Sequence, residues 1–184
     1  LCKENISWDP RPTDLYGGVI AQIVDMLRDK ADSNGVQLDY DKIDTAPPEL
    51  NLDADRMKQL FYNLVMNAMK YNRRRNVTVY QISDSESVKI DRCKILIRSR
   101  WSENRKSFFV AVISDGKKIF EDERDHIWEY GFRGREAKAM AAGLGIGMYI
   151  GKKIEKAAEG LELELTRLYD PVVFTVRFSN PILP

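Results

Sequence analysis

Three polar side chains share one face of a segment whose apolar residues recur at helical spacing. Asn63 and Asn67 are four residues apart and Lys70 follows three residues later, so all three lie on neighbouring turns of one helix face. An amide oxygen is a hard, neutral ligand that suits Mg²⁺, and an ammonium group complements phosphate. The trio indicates either a magnesium and phosphate site or the solvated side of an amphipathic helix. Spacing alone does not decide between them.

A glycine cluster at the start of a later helical segment is the second candidate for phosphate chemistry. Gly143, Gly145 and Gly147 occupy alternate positions, which leaves backbone N–H groups uncovered where the helix dipole is positive. Such a segment either binds phosphate or forms a flexible turn that permits close helix packing. The sequence has no GxxxxGK[ST] motif and no strand-GxGxxG-helix unit, which argues against P-loop and dinucleotide-binding folds.

Three amphipathic segments predict the long helices that position these groups. The first is capped by Thr13 and ends at Asn34-Gly35, which is a stop signal. The second is capped by Asp53 or Asp55 and carries the asparagine pair on one side of its apolar stripe. The third opens in the glycine cluster, and a short helix is predicted around 122–129.

Alternating apolar and polar residues predict the strands of a sheet with one buried face. The alternating segments lie around 36–40, 77–79, 95–97, 108–112, 161–165 and 172–178. The polar stretch 83–91 predicts a long hairpin loop or an inserted ribbon. Helices segregated from strands predict an α+β fold, a two-layer sandwich in which a mixed, mostly antiparallel sheet packs on about three long helices.

The chain divides into a linker, 1–12, and one domain, 13–184. The sequence begins as if in mid-protein, so the linker is predicted to follow a missing upstream region. Within the domain, the glycine- and charge-rich stretch 131–143 has too few periodic apolar residues to fix one conformation. We predict a mobile lid there.

Composition excludes several classes of protein. With 29 basic and 28 acidic residues among 184, no global field draws the chain to nucleic acid or to a membrane surface. Cys2 and Cys93 lack the spacing of a zinc site, and we expect both to be reduced. No apolar run approaches the roughly 20 residues that cross a bilayer. These features predict a cytoplasmic domain that holds any charged ligand locally.

Four segments, in this order, resemble the characteristic boxes of histidine kinases. LFYNLVMNAMKY is similar to their asparagine box, ISDGKKIF to their first glycine box, IWEYGFRG to their phenylalanine-containing box and GLGIGMYIGKKI to their second glycine box. The likeness runs from about Thr13 to Phe178. It implies the ATP-binding catalytic domain of a sensor histidine kinase, with a fold shared by gyrase, Hsp90 and MutL ATPases.

The resemblance implies ATP and Mg²⁺ as cofactors and gives roles to the matching residues. Asn67 would coordinate Mg²⁺, and Asn63 would assist metal or phosphate binding. Lys70 and Tyr71 would line the nucleotide pocket, and the three glycines of the second glycine box would wrap the triphosphate. Arg133, in the lid, would either stabilise the terminal phosphate during transfer or be an exposed lid charge. Asn63, Lys70 and Arg133 are the predicted catalytic groups.

The same resemblance separates phosphoryl transfer from hydrolysis. Hydrolytic members of the superfamily resemble one another in having a Glu that acts as general base at the position filled here by Asn63. The absence of that carboxylate favours transfer of the phosphoryl group to a protein side chain over hydrolysis. The acceptor in that family is a histidine on a separate helical hairpin. This implies the phosphoacceptor helices of the parent protein as partner and, indirectly, a response regulator of a two-component phosphorelay. The only histidine of this chain, His126, precedes the lid, and surface packing explains it.

The first glycine box departs from the family pattern, Asp-x-Gly-x-Gly, in which the Asp accepts a hydrogen bond from the adenine amine. An ungapped match places Ser114 at the Asp position, Gly116 at the first glycine and Lys118 at the second. A one-residue bulge would instead bring Asp115 to the adenine. Lys118 either crowds the base site or points to solvent with Lys117. The alternative function is therefore a pseudokinase-type module that keeps the fold, binds nucleotide weakly or not at all, and signals through protein contacts.

Overall fold

The computed structural model describes residues 6–40, 49–72, 78–83, 86–90, 94–139 and 143–179. Over these residues the α-helices are α1 (Ala21–Ser33), α2 (Ala54–Tyr71), α3 (Arg135–Lys138) and α4 (Gly147–Ala157). The strands are β1 (Arg11–Asp14), β2 (Gln37–Tyr40), β3 (Glu49–Leu52), β4 (Thr78–Ser83), β5 (Glu86–Ile90), β6 (Lys94–Trp101), β7 (Ser107–Ser114), β8 (Leu161–Leu168) and β9 (Val172–Ser179). A π-helical turn, Tyr16–Ile20, leads into α1, and two 3₁₀ turns, Glu121–Glu123 and His126–Trp128, follow β7.

The main sheet has the strand order β2-β6-β7-β9-β8 over the described residues. β2 is parallel to β6, and the other neighbours are antiparallel. β1 pairs with β3, and β4 with β5, in two-stranded sheets. The predicted α+β sandwich with a mixed, mostly antiparallel sheet is confirmed. Of the two predictions for the polar stretch around 83–91, the ribbon is correct, since β4 and β5 form it.

The core lies between the helices and one face of the main sheet. α2 contributes Leu60, Phe61 and Val65, each completely buried, and β7 contributes Phe108 and Val110 in the same way. Side chains alternate across a strand, so the even-numbered residues of β7 face the helices as far as Ser114. A smaller apolar cluster on the opposite face contains Leu96, Ile113 and Val173.

The start of α2 was predicted correctly from the sequence, whereas the start of the first helix was not. α2 begins after Asp53, whose carboxylate accepts the Arg56 N–H at 3.1 Å, and this decides between the two predicted caps. The prediction that Thr13 caps the first helix is wrong. Thr13 lies in β1, where its hydroxyl donates to Leu52 O at 3.0 Å. Asp14 instead accepts the first free N–H groups, from Tyr16 and Gly17.

The amino-terminal segment is packed onto the domain. β1 begins at Arg11, within the predicted linker, and Ile6 and Trp8 pack against the core. The domain boundary itself remains a prediction, while both cysteines fall outside the described residues. None of the described helices is long and apolar enough to cross a lipid bilayer.

Candidate functional site

A cavity of about 340 Å³ lies between α2, the start of α4, the ends of β7 and β9, and the segment that includes α3. Most of the predicted site residues line it: Asn63, Asn67, Lys70, Tyr71, Ser114, Gly116, Arg133, Gly143, Gly145 and Gly147. Asp115 is also buried, only 4% exposed, but it does not line the cavity. The two asparagines of α2 and the glycine cluster, 76 or more residues apart in sequence, therefore meet at one site.

Close packing of α2 against α4 holds the two asparagines opposite the glycine cluster. Asn63 Nδ2 donates to Gly147 O at 3.3 Å. One turn further along α4, a Cβ on Gly151 would lie 2.8 Å from Leu163 Cδ2 and 3.1 Å from Leu60 Cδ1. The absence of a side chain at Gly151 therefore allows α4 to lie close to both α2 and β8.

The amino terminus of α4 faces the cavity without a side-chain cap. Its N-cap residue, Ile146, makes no side-chain hydrogen bond to the first turn, and Gly145, Ile146, Gly147 and Met148 all line the cavity. The first N–H groups of a helix lack intrahelical partners and carry the positive end of its dipole. This end of the cavity is thus suited to an anion.

Gly145 shapes the turn that leads into α4. Its φ is +68°, and a Cβ there would lie 2.5 Å from Phe132 O and 2.8 Å from Gly131 C. The turn is held by a hydrogen bond from Gly131 N to Gly145 O at 3.1 Å. Glycine is required here both by the positive φ and by the approach of the neighbouring backbone.

Cationic groups line the cavity around the glycine turn. The Lys70 ammonium lies 4.9 Å from the centre of the Tyr71 ring and so close to Gly143 that a Cβ on that glycine would overlap it. Within the described part of the chain Lys70 makes no ion pair. Arg133 Nη2 donates to Ala137 O at 2.6 Å, so its guanidinium lies against α3.

The two lysines of the first glycine box take different positions. Lys117 Nζ is 3.7 Å from Glu136 Oε2 on α3, a partly exposed pair that contributes little stability but spans the two sides of the cavity. Lys118 is exposed, and its ammonium lies 5.0 Å from the ring centre of Phe120 and 5.9 Å from that of Tyr169. Neither ring lines the cavity. Lys118 itself lines the cavity, but its ammonium lies at the rim, and a cavity of about 340 Å³ remains open beside it.

The pairing of β7 decides between the two alignments of the first glycine box. Its register with β6 and with β9 is unbroken up to Ser114, so the bulge that would bring Asp115 to the cavity is absent from this strand. Beyond the strand end, Asn72 bridges to Gly116, and Lys117 N donates to Tyr71 O at 2.9 Å. The first glycine box is thereby tied to the end of α2.

Glu123 lines the cavity, although no motif in the sequence pointed to it. Its carboxylate accepts the N–H of Arg135 at 2.7 Å and of Phe120 at 3.1 Å, and it also pairs with the Arg135 guanidinium. A Cβ on Gly134 would lie 3.1 Å from it. The carboxylate therefore joins the segment after β7 to the start of α3, and no local sequence pattern signals a contact over 12 residues.

The environment of Glu123 predicts a pH-dependent contribution to stability. Burial raises the pKa of Glu123, but the backbone hydrogen bonds from Arg135 and Phe120 and the Arg135 guanidinium outweigh it, so the pKa is lowered from the usual 4.5. A carboxylate with a lowered pKa stabilises the fold above its unfolded-state pKa, and this contribution is lost as the pH falls through the folded-state pKa.

We therefore expect Glu123→Gln to lower the free energy of unfolding by about 1–2 kcal/mol at pH 7. The difference from the wild type should shrink as the pH falls through the lowered folded-state pKa of Glu123, because the wild-type carboxyl then also becomes neutral. Urea unfolding over this pH range measures it. Glu121→Gln is the matched control, since Glu121 is exposed and, among the described residues, forms an ion pair only with the partly exposed Arg124. A constant difference at all pH values would contradict the assignment.

His126 lies outside the cavity. It is exposed, its Nδ1 is 2.8 Å from Glu129 Oε1, and its ring stacks on Phe132 at 5.8 Å. The hydrogen bond and charge of Glu129 raise the pKa of His126. These contacts are those of a surface residue that packs against Phe132.

The fold and the cavity together define the class of ATP-binding catalytic domains found in histidine kinases. The catalytic domain of the histidine kinase ThkA superposes with a TM-score of 0.70 at 19% identity, covering 95% of this chain and 97% of that one. Full-length ShkA in complex with AMPPNP gives a TM-score of 0.72 at 16% identity, covering 98% of this chain and 33% of that one.

Residues 52–181 match the family model described as histidine kinase-, DNA gyrase B- and HSP90-like ATPase. The chain belongs to this family. Among curated proteins, the aerobic respiration control sensor protein ArcB homolog of Haemophilus influenzae is 29% identical over 108 residues, which are 59% of this chain and 27% of that protein. The chain thus spans about a quarter of the length of that relative. The predicted kinship with the histidine-kinase ATPase domain is confirmed.

Proposed function

We propose that this chain binds Mg·ATP in the cavity and transfers the γ-phosphoryl group to a histidine on the phosphoacceptor helices of its parent protein. In this reaction the bond between the γ-phosphorus and the β,γ-bridging oxygen of ATP breaks, ADP leaves with that oxygen, and a bond from the γ-phosphorus to an imidazole nitrogen forms. A response regulator would then receive the phosphoryl group in the cytoplasm. The complex of ShkA with AMPPNP, within a similar fold, supports an adenine nucleotide as the donor.

The observation that carries this proposal is the convergence of two kinds of phosphate-binding group on one cavity. The amide face of α2 lies opposite the uncapped start of α4, and Asn63 contacts Gly147 across the gap. The backbone N–H groups and the helix dipole favour the phosphate charge. Lys70, next to Gly143, adds a mobile point charge that can follow the triphosphate.

The residues present fit a magnesium ion that is held mainly by the nucleotide. No cluster of three His, Cys, Asp or Glu side chains occurs in the described residues, so a metal cage made only of protein groups is not available there. Mg²⁺ usually keeps several waters and binds phosphate oxygens with one or two protein ligands. Asn67 supplies such a ligand. When bound, the ion would neutralise phosphate charge as the phosphoryl group is transferred.

The carboxylates around the cavity favour transfer over hydrolysis. Glu123 and Glu136 line the cavity, but Glu123 holds three N–H donors and Glu136 is paired with Lys117. A general base must be free to take a proton from water. The position that would place a base beside the phosphates is occupied by Asn63, whose amide has no basic group.

The position of Lys118 supports nucleotide binding over the pseudokinase alternative. The pseudokinase alternative predicts that the Lys118 side chain fills the base site. It is exposed at the rim instead, where its charge adds attraction for a nucleotide. Arg133 lines the cavity from the lid side, and its guanidinium would stabilise charge on the terminal phosphate when the lid closes.

We expect Asn67→Ala to weaken Mg·ATP binding by about 10- to 100-fold, because it removes an oxygen ligand of the metal. Calorimetry with Mg²⁺ and ATP or ADP measures the change. In EDTA the variant and the wild type should differ by less than about threefold, since the lost contact is to the metal. Asn51→Ala, at an exposed position on β3, is the matched control and should bind as the wild type does.

Two results would contradict the proposal. If calorimetry with the wild type detects no heat of binding at millimolar nucleotide, the proposed binding of ATP is wrong. Rapid release of inorganic phosphate from bound ATP by the isolated chain would favour a hydrolase over a kinase, because the chain would then activate water without the acceptor helices.

A further inference from the structure

The sheet side of the cavity is an apolar surface with one polar side chain. Ser114 pairs with Val172, and Val112 with Phe174, in the register of β7 with β9. All four line the cavity. Val112, Val172 and Ser114 are 5% exposed or less. Such a surface can accept a flat heterocycle, and Ser114 is the group on it that can form a hydrogen bond to the heterocycle's edge.

The Ser114 hydroxyl is available to a ligand. It makes no hydrogen bond with any part of the chain that the structure describes. Gly116 keeps the space beside it open, since a Cβ there would lie 3.4 Å from Ser114 Oγ and 3.2 Å from Val172 Cγ2. The neighbouring carboxylate, Asp115, lies outside the cavity lining. The Lys118 side chain belongs to the lining, but its ammonium lies beside Phe120, a residue outside it. A base bound on this surface therefore meets a neutral hydroxyl.

A hydroxyl and a carboxylate select purines differently. An ionised carboxylate only accepts hydrogen bonds, so it favours the 6-amino group of adenine and repels the 6-oxo group of guanine or hypoxanthine. A hydroxyl both donates and accepts, and its hydrogen rotates to suit the partner. It also introduces no buried charge that a carbonyl oxygen would have to face.

We propose that Ser114 makes this cavity a general purine nucleoside triphosphate site that accepts 6-oxo and 6-amino purines with similar affinity. The proposal rests on the nucleotide-binding function given above and adds its base selectivity. Ser114 is the specificity-determining residue. The phosphate-binding groups on α2 and α4 act on any triphosphate and carry no information about the base.

The test compares Mg·ATP with Mg·ITP, because inosine differs from adenosine only where the 6-amino group and N1 are replaced by the 6-oxo group and N1–H. We expect the wild type to bind the two within about fivefold, since one neutral hydrogen bond is made to each. Ser114→Asp should favour ATP over ITP by about 20-fold or more, because the contact to the amine becomes charge-assisted and the 6-oxo group is repelled. Calorimetry with each nucleotide gives both ratios.

Ser114→Ala distinguishes an effect on base selectivity from a general loss of affinity caused by a change in the shape of the cavity. It removes the hydroxyl from both complexes, so both affinities should fall by a similar factor, about three- to tenfold, and the ratio should stay near that of the wild type. GTP should bind with an affinity similar to that of ITP if its 2-amino group reaches the open side of the cavity.

The outcomes distinguish this proposal from the function on which it rests. If the wild type binds ATP but prefers it over ITP by more than about 20-fold, the base-selectivity proposal is wrong and the nucleotide site stands. If the wild type binds neither nucleotide, both fail. If the wild type binds ATP and ITP with a ratio of affinities near one, the proposal is supported even if Ser114→Asp folds poorly.

Discussion

Replacing Gly145 with alanine is expected to weaken nucleotide binding by about 100-fold while the domain stays folded. At a φ of +68°, the added Cβ would lie 2.5 Å from Phe132 O and would also overlap the backbone of Gly131. Backbone atoms cannot move aside as a flexible side chain does, so the turn must change shape. Because this turn directly precedes α4, the N–H groups proposed to bind phosphate would be displaced. Calorimetry with Mg·ATP measures the loss.

Gly35→Ala is the matched control for this substitution. Gly35 has nearly the same φ, +66°, but nothing lies within 4 Å of its added Cβ, and it follows α1, outside the cavity lining. It should lower the free energy of unfolding by about 1 kcal/mol through backbone strain alone and leave the nucleotide affinity unchanged. A Gly145→Ala protein that binds ATP as the wild type does would show that the turn is not part of the phosphate site.

The parts of the fold that depend on local patterns were predictable from sequence. α2 combines a long apolar stripe with a capping aspartate, Asp53, and both signals act within a few residues of each other. The start of α1 was not predictable in this way. Thr13 satisfies the sequence rule for a cap, but its hydroxyl hydrogen is shared between two carbonyl oxygens, that of Arg11 and that of Leu52, 39 residues away. Pairing of β1 with β3 overrides the local preference.

The same distinction applies to the cavity. The glycine turn and the asparagine pair were selected from sequence because each is a short motif, and the structure brings both to the cavity. The choice between Ser114 and Asp115 depends on whether β7 carries a bulge, and that is fixed by its register with β6 and β9. Glu123 was missed because its partners, at Phe120 and Arg135, are brought together only when the segment that includes α3 folds back.

The positions of two residues on β7 explain why a substitution at one end of the strand should affect nucleotide binding and a substitution near the other end should affect stability. Ser114, at one end, lines the cavity, whereas Phe108 is completely buried in the core near the other end. Six residues of strand place them about 20 Å apart. A change at Phe108 therefore alters packing without touching the proposed nucleotide site.

Phe108→Ala is expected to lower the free energy of unfolding by about 3–5 kcal/mol, a large part of the stability of a typical domain. The phenyl ring packs edge-on against Trp101 at 5.2 Å and near Phe178 at 6.5 Å, so its removal leaves a cavity that these large rings cannot fill. Urea unfolding followed by circular dichroism measures the loss. At low temperature the folded fraction should bind Mg·ATP within about threefold of the wild type, since residues this far apart act independently.

Phe109→Ala, at the next position on β7, is the matched control because its side chain points to the opposite face of the sheet. Its ring lies 4.7 Å from the Arg100 guanidinium and 6.0 Å from that of Arg177 and is only partly buried. The substitution should therefore cost about 1 kcal/mol. Equal destabilisation by the two variants would contradict the assignment of the core to the helix-facing side of β7. A large loss for Phe108 alone would show that packing between the helices and the sheet stabilises the domain more than packing on the opposite face of β7 does.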